Sequence, residues 1–171
     1  MSEGLTVNGY GSKEELERSP GFPSEKRLRE GPVAVIECIQ EIPCNPCEAA
    51  CPHEAIVVGL PITNPPQLDE AKCIGCGVCI PRCPGLAIFL VDATYSEDRA
   101  TVAFPYEYLP LPKVGQTVTA VNRAGEPVCE GEVVKVATAK NSDRTAVITL
   151  AIPKEHAEVV RGMMRLGGHR G

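Results

Sequence analysis

The hydrophobic pattern changes its rhythm twice along the chain. Over residues 1–31, core-type side chains are sparse and Gly and Pro breaks are frequent. Ser12-Lys-Glu-Glu15 is a capping-box pattern, which predicts a short helix through about Arg18 that Ser19-Pro20-Gly21 ends. The segment reads as an N-terminal arm, either disordered when alone or wrapped round a partner. From Pro32 the pattern becomes short apolar runs between prolines. Val33 to Ile39 predicts a strand, and Val57-Val58 and Ala87 to Asp92 predict two more. Short helical turns are expected after Cys47 and Cys79. Leu60 to Leu68 holds Pro61, Pro65 and Pro66 and is expected to be irregular.

Beyond residue 92, alternation of period two takes over. Ser96-Glu-Asp-Arg99 reads as a turn before a strand at Thr101 to Phe104. Thr117 to Asn122 and Val128 to Val136 flank Arg123-Ala-Gly125-Glu, a hairpin signal. In Thr145 to Ile152 the residues Ala146, Ile148, Leu150 and Ile152 share one face. Gly131 inside a strand pattern suggests a bulge between Val128 and Val134. Pro153 to Arg165 places His156, Val159, Val160, Met163 and Met164 at helical spacing, which predicts a closing helix. The expected fold class is α+β. An arm (1–31) precedes a proline-punctuated module (32–92), and a small β-barrel-like or sandwich-like domain with a C-terminal helix follows (93–171).

Composition adds exclusions. A chain of 171 residues holds one domain or two small ones, and an apolar fraction of 43% is globular. No apolar run is long enough to span a bilayer, so no membrane contact is expected. The N-terminus shows no basic stretch followed by an apolar one, which points to the cytoplasm. The net charge of −5 leaves no electrostatic footprint for nucleic acid. That charge is local: residues 32–84 carry Glu37, Glu41, Glu48, Glu54, Asp69 and Glu70 against Lys72 and Arg82, a net of −4.

Cysteine is equally local. Eight of nine cysteines lie between Cys38 and Cys83, with only Cys129 outside. In a reducing compartment such clusters read as metal or cluster ligands rather than disulfides. The second group is Cys73-Ile-Gly-Cys76-Gly-Val-Cys79-Ile-Pro-Arg-Cys83-Pro84, spaced C-x2-C-x2-C-x3-C-P. Thiolates two residues apart on a tight loop can wrap the corners of an iron–sulfur cube, and Gly75 and Gly77 let backbone N–H groups approach the sulfurs. The first group is Cys38-Ile-Gln-Glu-Ile-Pro-Cys44-Asn-Pro-Cys47-Glu-Ala-Ala-Cys51-Pro52. Cys44, Cys47 and Cys51-Pro52 repeat the last three positions, while Glu41 stands where the first cysteine would be. Two zinc sites are the competing reading, since zinc knots also use C-x2-C pairs, but a trailing Cys-Pro in both groups is unusual for zinc. His53, His156 and His169 read as surface, helix-face and tail residues, and Cys129 as a small strand hydrophobe. No dinucleotide fingerprint and no hydrolase motif is present.

The repeated motif resembles the two-cluster bacterial-type ferredoxins, over about Val33 to Asp92. That resemblance implies a ferredoxin-like module with two 4Fe–4S clusters and crossed ligation. Cluster one would take Cys73, Cys76, Cys79 and Cys51. Cluster two would take Cys44, Cys47, Cys83 and one more ligand. Cys38 is favoured for that corner because soft thiolate suits such iron. Glu41 as a carboxylate ligand is an alternative, and a 3Fe–4S cluster lacking the corner is another. A narrower resemblance lies in Glu37-Cys38-Ile-Gln-Glu-Ile-Pro-Cys44-Asn-Pro-Cys47-Glu48 and in Phe104-Pro-Tyr-Glu-Tyr-Leu-Pro-Leu-Pro-Lys-Val-Gly115. These look like the small iron–sulfur subunits of FAD-dependent proline, hydroxyproline and sarcosine-type dehydrogenases. The implied role is non-catalytic: relaying electrons from FAD-containing dehydrogenase subunits, which oxidise an amino acid or related amine, to a ferredoxin or other acceptor within a hetero-oligomer. The FAD would sit on the partner chains. A free ferredoxin-like carrier is the alternative, followed by a structural or regulatory cluster- or zinc-binding protein.

Overall fold

The computed structural model describes residues 4–138 and 144–167. Three short helices form the N-terminal segment: α1 (Leu5–Asn8), α2 (Lys13–Glu17) and α3 (Glu25–Leu28). The capping box at α2 is present. Ser12 Oγ accepts the Glu15 N–H at 3.3 Å, and Glu15 Oε2 accepts the Ser12 N–H at 2.9 Å. The same carboxylate oxygen accepts the Leu5 N–H at 3.0 Å, which ties α1 to α2. Leu16 and Leu28 are buried, so this arm packs on its own chain.

Next come β1 (Val33–Ile36), α4 (Pro46–Ala50), β2 (Ile56–Val57), β3 (Gln67–Leu68), a 3-10 turn at Ile80–Arg82 and β4 (Ile88–Asp92). The loop expected through Leu68 is thus shorter than predicted. Its last two residues pair with Ile56 and Val57, because Gln67 and Leu68 lie beyond the last proline and regain a backbone donor at each position. The remaining strands are β5 (Arg99–Tyr106), β6 (Thr117–Val121), β7 (Pro127–Ala137), β8 (Ala146–Pro153) and β9 (Gly162–Met163).

One antiparallel seven-stranded sheet runs β1-β4-β5-β8-β7-β6-β9. It has an open order rather than a closed barrel or a separate sandwich, and β9 turns in against β5 at its far end. The sheet continues across residue 92, since β4 and β5 pair through Leu90–Ala103 and Val91–Val102. The alternation of side chains along β1 and β4 explains why both read as unbroken apolar runs. Val33, Val35, Phe89 and Val91 enter the larger core with Phe104, Val133, Ile148 and Leu150. Ala34, Ile36 and Ile88 face the other way, into a second core with Ile56, Ile80, Cys47 and Cys79. The two strands are a partition with apolar material on both sides.

Two expectations are corrected. The expected phase shift along β7 is present, but Gly131 is not its bulged residue: it pairs directly with Val118, and the unpaired residues are Val128, between Pro127 and Cys129, and Val134, between Val133 and Lys135. A Cβ at Gly131 would stand 3.1 Å from Ile152 Cγ2 and 3.2 Å from Leu150 Cδ1, so the glycine serves close packing. The predicted helix at Pro153 to Arg165 is absent. A 3-10 turn covers Lys154–His156, and the chain then extends into β9. Sheet hydrogen bonds hold the backbone there: Arg161 N–H donates to Val121 O at 2.9 Å and Met164 N–H to Thr119 O at 2.8 Å. Gly162 is also a poor helix former. Val159 and Met164, expected on the buried face, are exposed.

Candidate iron–sulfur site

The two Cys-Pro corners are built alike. Pro46 opens α4 and Cys51 closes it with φ −79° and ψ 109°. Cys83 closes the 3-10 turn with φ −80° and ψ 111°. Three residues on, Glu54 (φ 51°) and Leu86 (φ 53°) both adopt the left-handed conformation. The Ala55 N–H then donates to Cys51 Sγ at 3.3 Å, and the Ala87 N–H to Cys83 Sγ at 3.4 Å. Each Cys-Pro unit is therefore a turn that aims a backbone donor at its own sulfur. Proline suits the bend and cannot extend the preceding helix.

The eight thiols fall into two groups, each drawn from both motifs. Cys79 is buried, and the thiols acting on it electrostatically are Cys73, Cys76 and Cys51. Cys38 has Cys83 and Cys44 as its electrostatic neighbours, and Cys47 has the same two. A cavity lined by Cys51, Cys73, Cys76 and Cys79 opens beside Ala34, Ile56 and Leu90. Burial, then neighbouring thiols, pushes Cys79 up to about 12 and Cys47 up to about 11. Burial followed by Cys83 and Cys44 raises Cys38 as well. Thiolates so crowded are unfavourable unless positive charge sits among them, so this donor set fits a metal cluster.

The chain's other features fit the same group. Ala34 N–H donates to Cys73 Sγ at 3.5 Å, a third backbone donor on a sulfur. Gly75 has φ +72°, and a Cβ there would lie 2.5 Å from Pro32 O, so only glycine lets this loop close on the first strand. Among the described residues, no three His, Cys, Asp or Glu side chains are arranged to hold a single metal ion.

His53 is exposed but lines the cavity of the Cys51–Cys73–Cys76–Cys79 group. Glu41 is exposed, and His156 is half-buried. Cys129 lies half-buried on β7, where burial and then the Glu155 charge raise its pKa. His169 lies outside the described residues.

Two clamps escaped the sequence reading. Arg27, on α3, donates to four carbonyl oxygens: Glu70 at 2.9 Å, Gly31 at 3.1 Å, Pro32 at 2.9 Å and Cys73 at 2.7 Å. The arm thereby holds the first residue of the second cysteine motif. Glu37, one residue before Cys38, receives Arg123 Nε on Oε2 and Arg161 Nε on Oε1, each at 2.7 Å. Burial pushes the Glu37 carboxyl up, but the Arg123 hydrogen bond and the Arg161 charge outweigh it and hold the group below the usual range. The signal was an arginine inside the apolar stretch Val159 to Met164, since a buried charge demands a partner. Nothing local pointed to Arg27.

Residues 66–89 match the 4Fe-4S binding domain family. An uncharacterized ferredoxin of Methanocaldococcus jannaschii is 39% identical over 70 residues, which are 39% of this chain and 41% of that protein. A component of the Na(+)-translocating ferredoxin:NAD(+) oxidoreductase complex of Acetobacterium woodii is 42% identical over 45 residues, 26% of this chain and 13% of that one. Protein Pixie of Drosophila melanogaster is 26% identical over 106 residues, 53% of this chain and 17% of that one. The chain thus spans between 13% and 41% of the length of these relatives. No solved structure matches it significantly. These likenesses support a ferredoxin-type iron–sulfur module. Among the described residues, no helix is long and apolar enough to cross a membrane.

Proposed function

We propose that this chain is an electron-transfer subunit with two 4Fe–4S clusters. Cys51, Cys73, Cys76 and Cys79 hold cluster one, and Cys38, Cys44, Cys47 and Cys83 hold cluster two. The observation that carries this reading is the mixing of the motifs, since each thiol group takes members from both. A cluster of this type supplies one-electron redox chemistry when bound. The chain supplies the rest. The Ala34, Ala55 and Ala87 N–H groups donate to cysteine sulfur and offset its negative charge. Ile36, Ile56, Ile80 and Ile88 pack beside the thiols and keep water out. Electrons would come from reduced FAD on a dehydrogenase partner that oxidises an amino acid or related amine, and would leave to a ferredoxin or similar acceptor. The likeness of the Glu37–Glu48 and Phe104–Gly115 strings to such subunits supports that partner.

Purified anaerobically, the chain should contain about eight irons and eight acid-labile sulfides and show an EPR signal of two interacting reduced clusters. Zinc without sulfide would sink the reading. A free ferredoxin-like carrier is the second reading, favoured by one observation: Leu28 of the arm is buried in this chain's own larger core. Native purification separates the two. Co-elution with FAD-containing chains supports the subunit, and a lone monomer supports the carrier.

A further inference from the structure

A cleft of about 220 Å³ lies between the second cysteine loop and the outer face of the sheet. Val78, Ile80 and Pro81 form one wall, and Leu90, Ala103, Ala137 and Val147 line the sheet side. Among the described residues, its polar lining is Arg82, Lys135 and Thr149, with no acidic side chain. Cys76, Gly77 and Leu90 line both this cleft and the cavity of the Cys51–Cys73–Cys76–Cys79 group. An occupant of the cleft is therefore separated from those thiols by a single wall of chain.

Charge picks out the occupant. The cysteine-rich window is acidic, and its only bases are Lys72 and Arg82. Arg82 and Lys135, from different parts of the chain, both line the cleft. An acidic partner is repelled by the carboxylates elsewhere on the module and attracted here. The volume also matters. Pockets that enclose a small organic ligand run from about 300 Å³ upward, and this cleft is smaller. It suits an apolar side chain projecting from a larger body.

We propose that the cleft docks an acidic one-electron carrier protein, which seats an apolar side chain between Val78 and Ala137 and sets carboxylates against Lys135 and Arg82. Electrons then pass through the Cys76–Gly77 wall. The proposal rests on the electron-transfer reading above.

Stopped-flow oxidation of the dithionite-reduced, cluster-loaded chain tests it. The probes are an acidic two-cluster ferredoxin and cytochrome c, a basic carrier. The rate constant with the acidic ferredoxin should fall as salt rises. It should also fall on the order of tenfold in Lys135→Glu and in Ala137→Phe, while cytochrome c reacts at an unchanged or higher rate with Lys135→Glu. Iron content and visible absorbance confirm that both variants are loaded. Acidic-ferredoxin rates within twofold of the parent in both loaded variants overturn the docking proposal and leave the electron-transfer reading intact. A chain that binds iron and sulfide but is not reduced at all overturns the reading beneath it.

Discussion

Glu37 and Arg161 stand 124 positions apart, yet they form an ion pair of 2.7 Å whose side chains are 10% and 3% exposed. Arg161 also donates to the carbonyls of Ala157 at 3.0 Å and Val160 at 2.6 Å, and its guanidinium lies 5.6 Å from the centre of the Phe89 ring. The pair joins the end of the chain to the strand that leads into Cys38. A pair this well enclosed is costly to desolvate, and breaking it is costly too, because removing one member leaves the other charged, buried and unpaired. Arg161→Leu should lower unfolding stability by about 3–5 kcal/mol in chemical denaturation. Glu37→Gln combined with Arg161→Gln should lose clearly less than the sum of the two single losses. Additive losses would show that the charges do not depend on each other.

The Arg27 clamp gives a second expectation. Lysine keeps the charge but cannot span four carbonyls with a rigid fork. Arg27→Lys should cost about 1.5–3 kcal/mol, on the scale of hydrogen bonds to charged groups. The lesion should also reach the metal. Iron release to a chelator should speed up for the Cys51–Cys73–Cys76–Cys79 group, whose Cys73 carbonyl Arg27 holds, and change little for the other group. Equal release from both groups would count against a local role.

Gly75 and Gly77 separate close approach from backbone conformation. Both have positive φ, but a Cβ at Gly75 would sit 2.5 Å from Pro32 O, whereas at Gly77 it would meet only Ile80 Cδ1 at 3.6 Å and Leu90 Cδ2 at 3.8 Å. Gly77→Ala should cost about 1–2 kcal/mol, the penalty for a left-handed residue. Gly75→Ala should instead lose iron from the adjacent group, because backbone must move. Iron per chain, measured after identical loading, discriminates the two.

Glu15 predicts a pH response of the arm. N–H donors from Ser12, then Leu5, hold its carboxyl below the ordinary value. A carboxylate with a lowered folded pKa contributes fully above the unfolded value, about 4.3, and the contribution is lost as pH falls through the folded value. Amide protection at Leu5 and Ser12, corrected for intrinsic exchange, should therefore fall below about pH 4. In Glu15→Gln, whose amide oxygen can still accept but carries no charge, it should be lower than in the parent at neutral pH and nearly flat on acidification. A parent-like pH profile in Glu15→Gln would assign the effect to another group.

What the sequence disclosed is what short range determines. The strand positions around Val33 and Ile88, the Ser12 capping box and the spacing of the cysteines all depend on residues within a few positions of one another. Arg27 and Cys73, or Glu37 and Arg161, meet only after the sheet is assembled, and no local pattern couples them. The C-terminal segment shows the same limit. Val160 and Met163 are buried at a spacing of three, as a helix would place them, but pairing of Gly162 and Met163 with β6 overrides that local signal.

Placement favours Cys38 as the proposed last ligand of the second thiol group. Cys38 sits among Cys83 and Cys44, and burial raises its pKa first, before either neighbour. Glu41, at the position the repeat assigns to that corner, is exposed. The longer spacing from Cys38 to Cys44 is tolerable because β1 ends at Ile36 and the Glu37 clamp fixes the chain one residue before the thiol. Cys38→Ser should alter the EPR signal of that cluster or convert it to a three-iron form, with the Cys51-containing cluster unchanged. Glu41→Ala should leave both signals and the iron content as in the parent. If Glu41→Ala disturbs the cluster and Cys38→Ser does not, the carboxylate is the ligand and the thiol only lines the site.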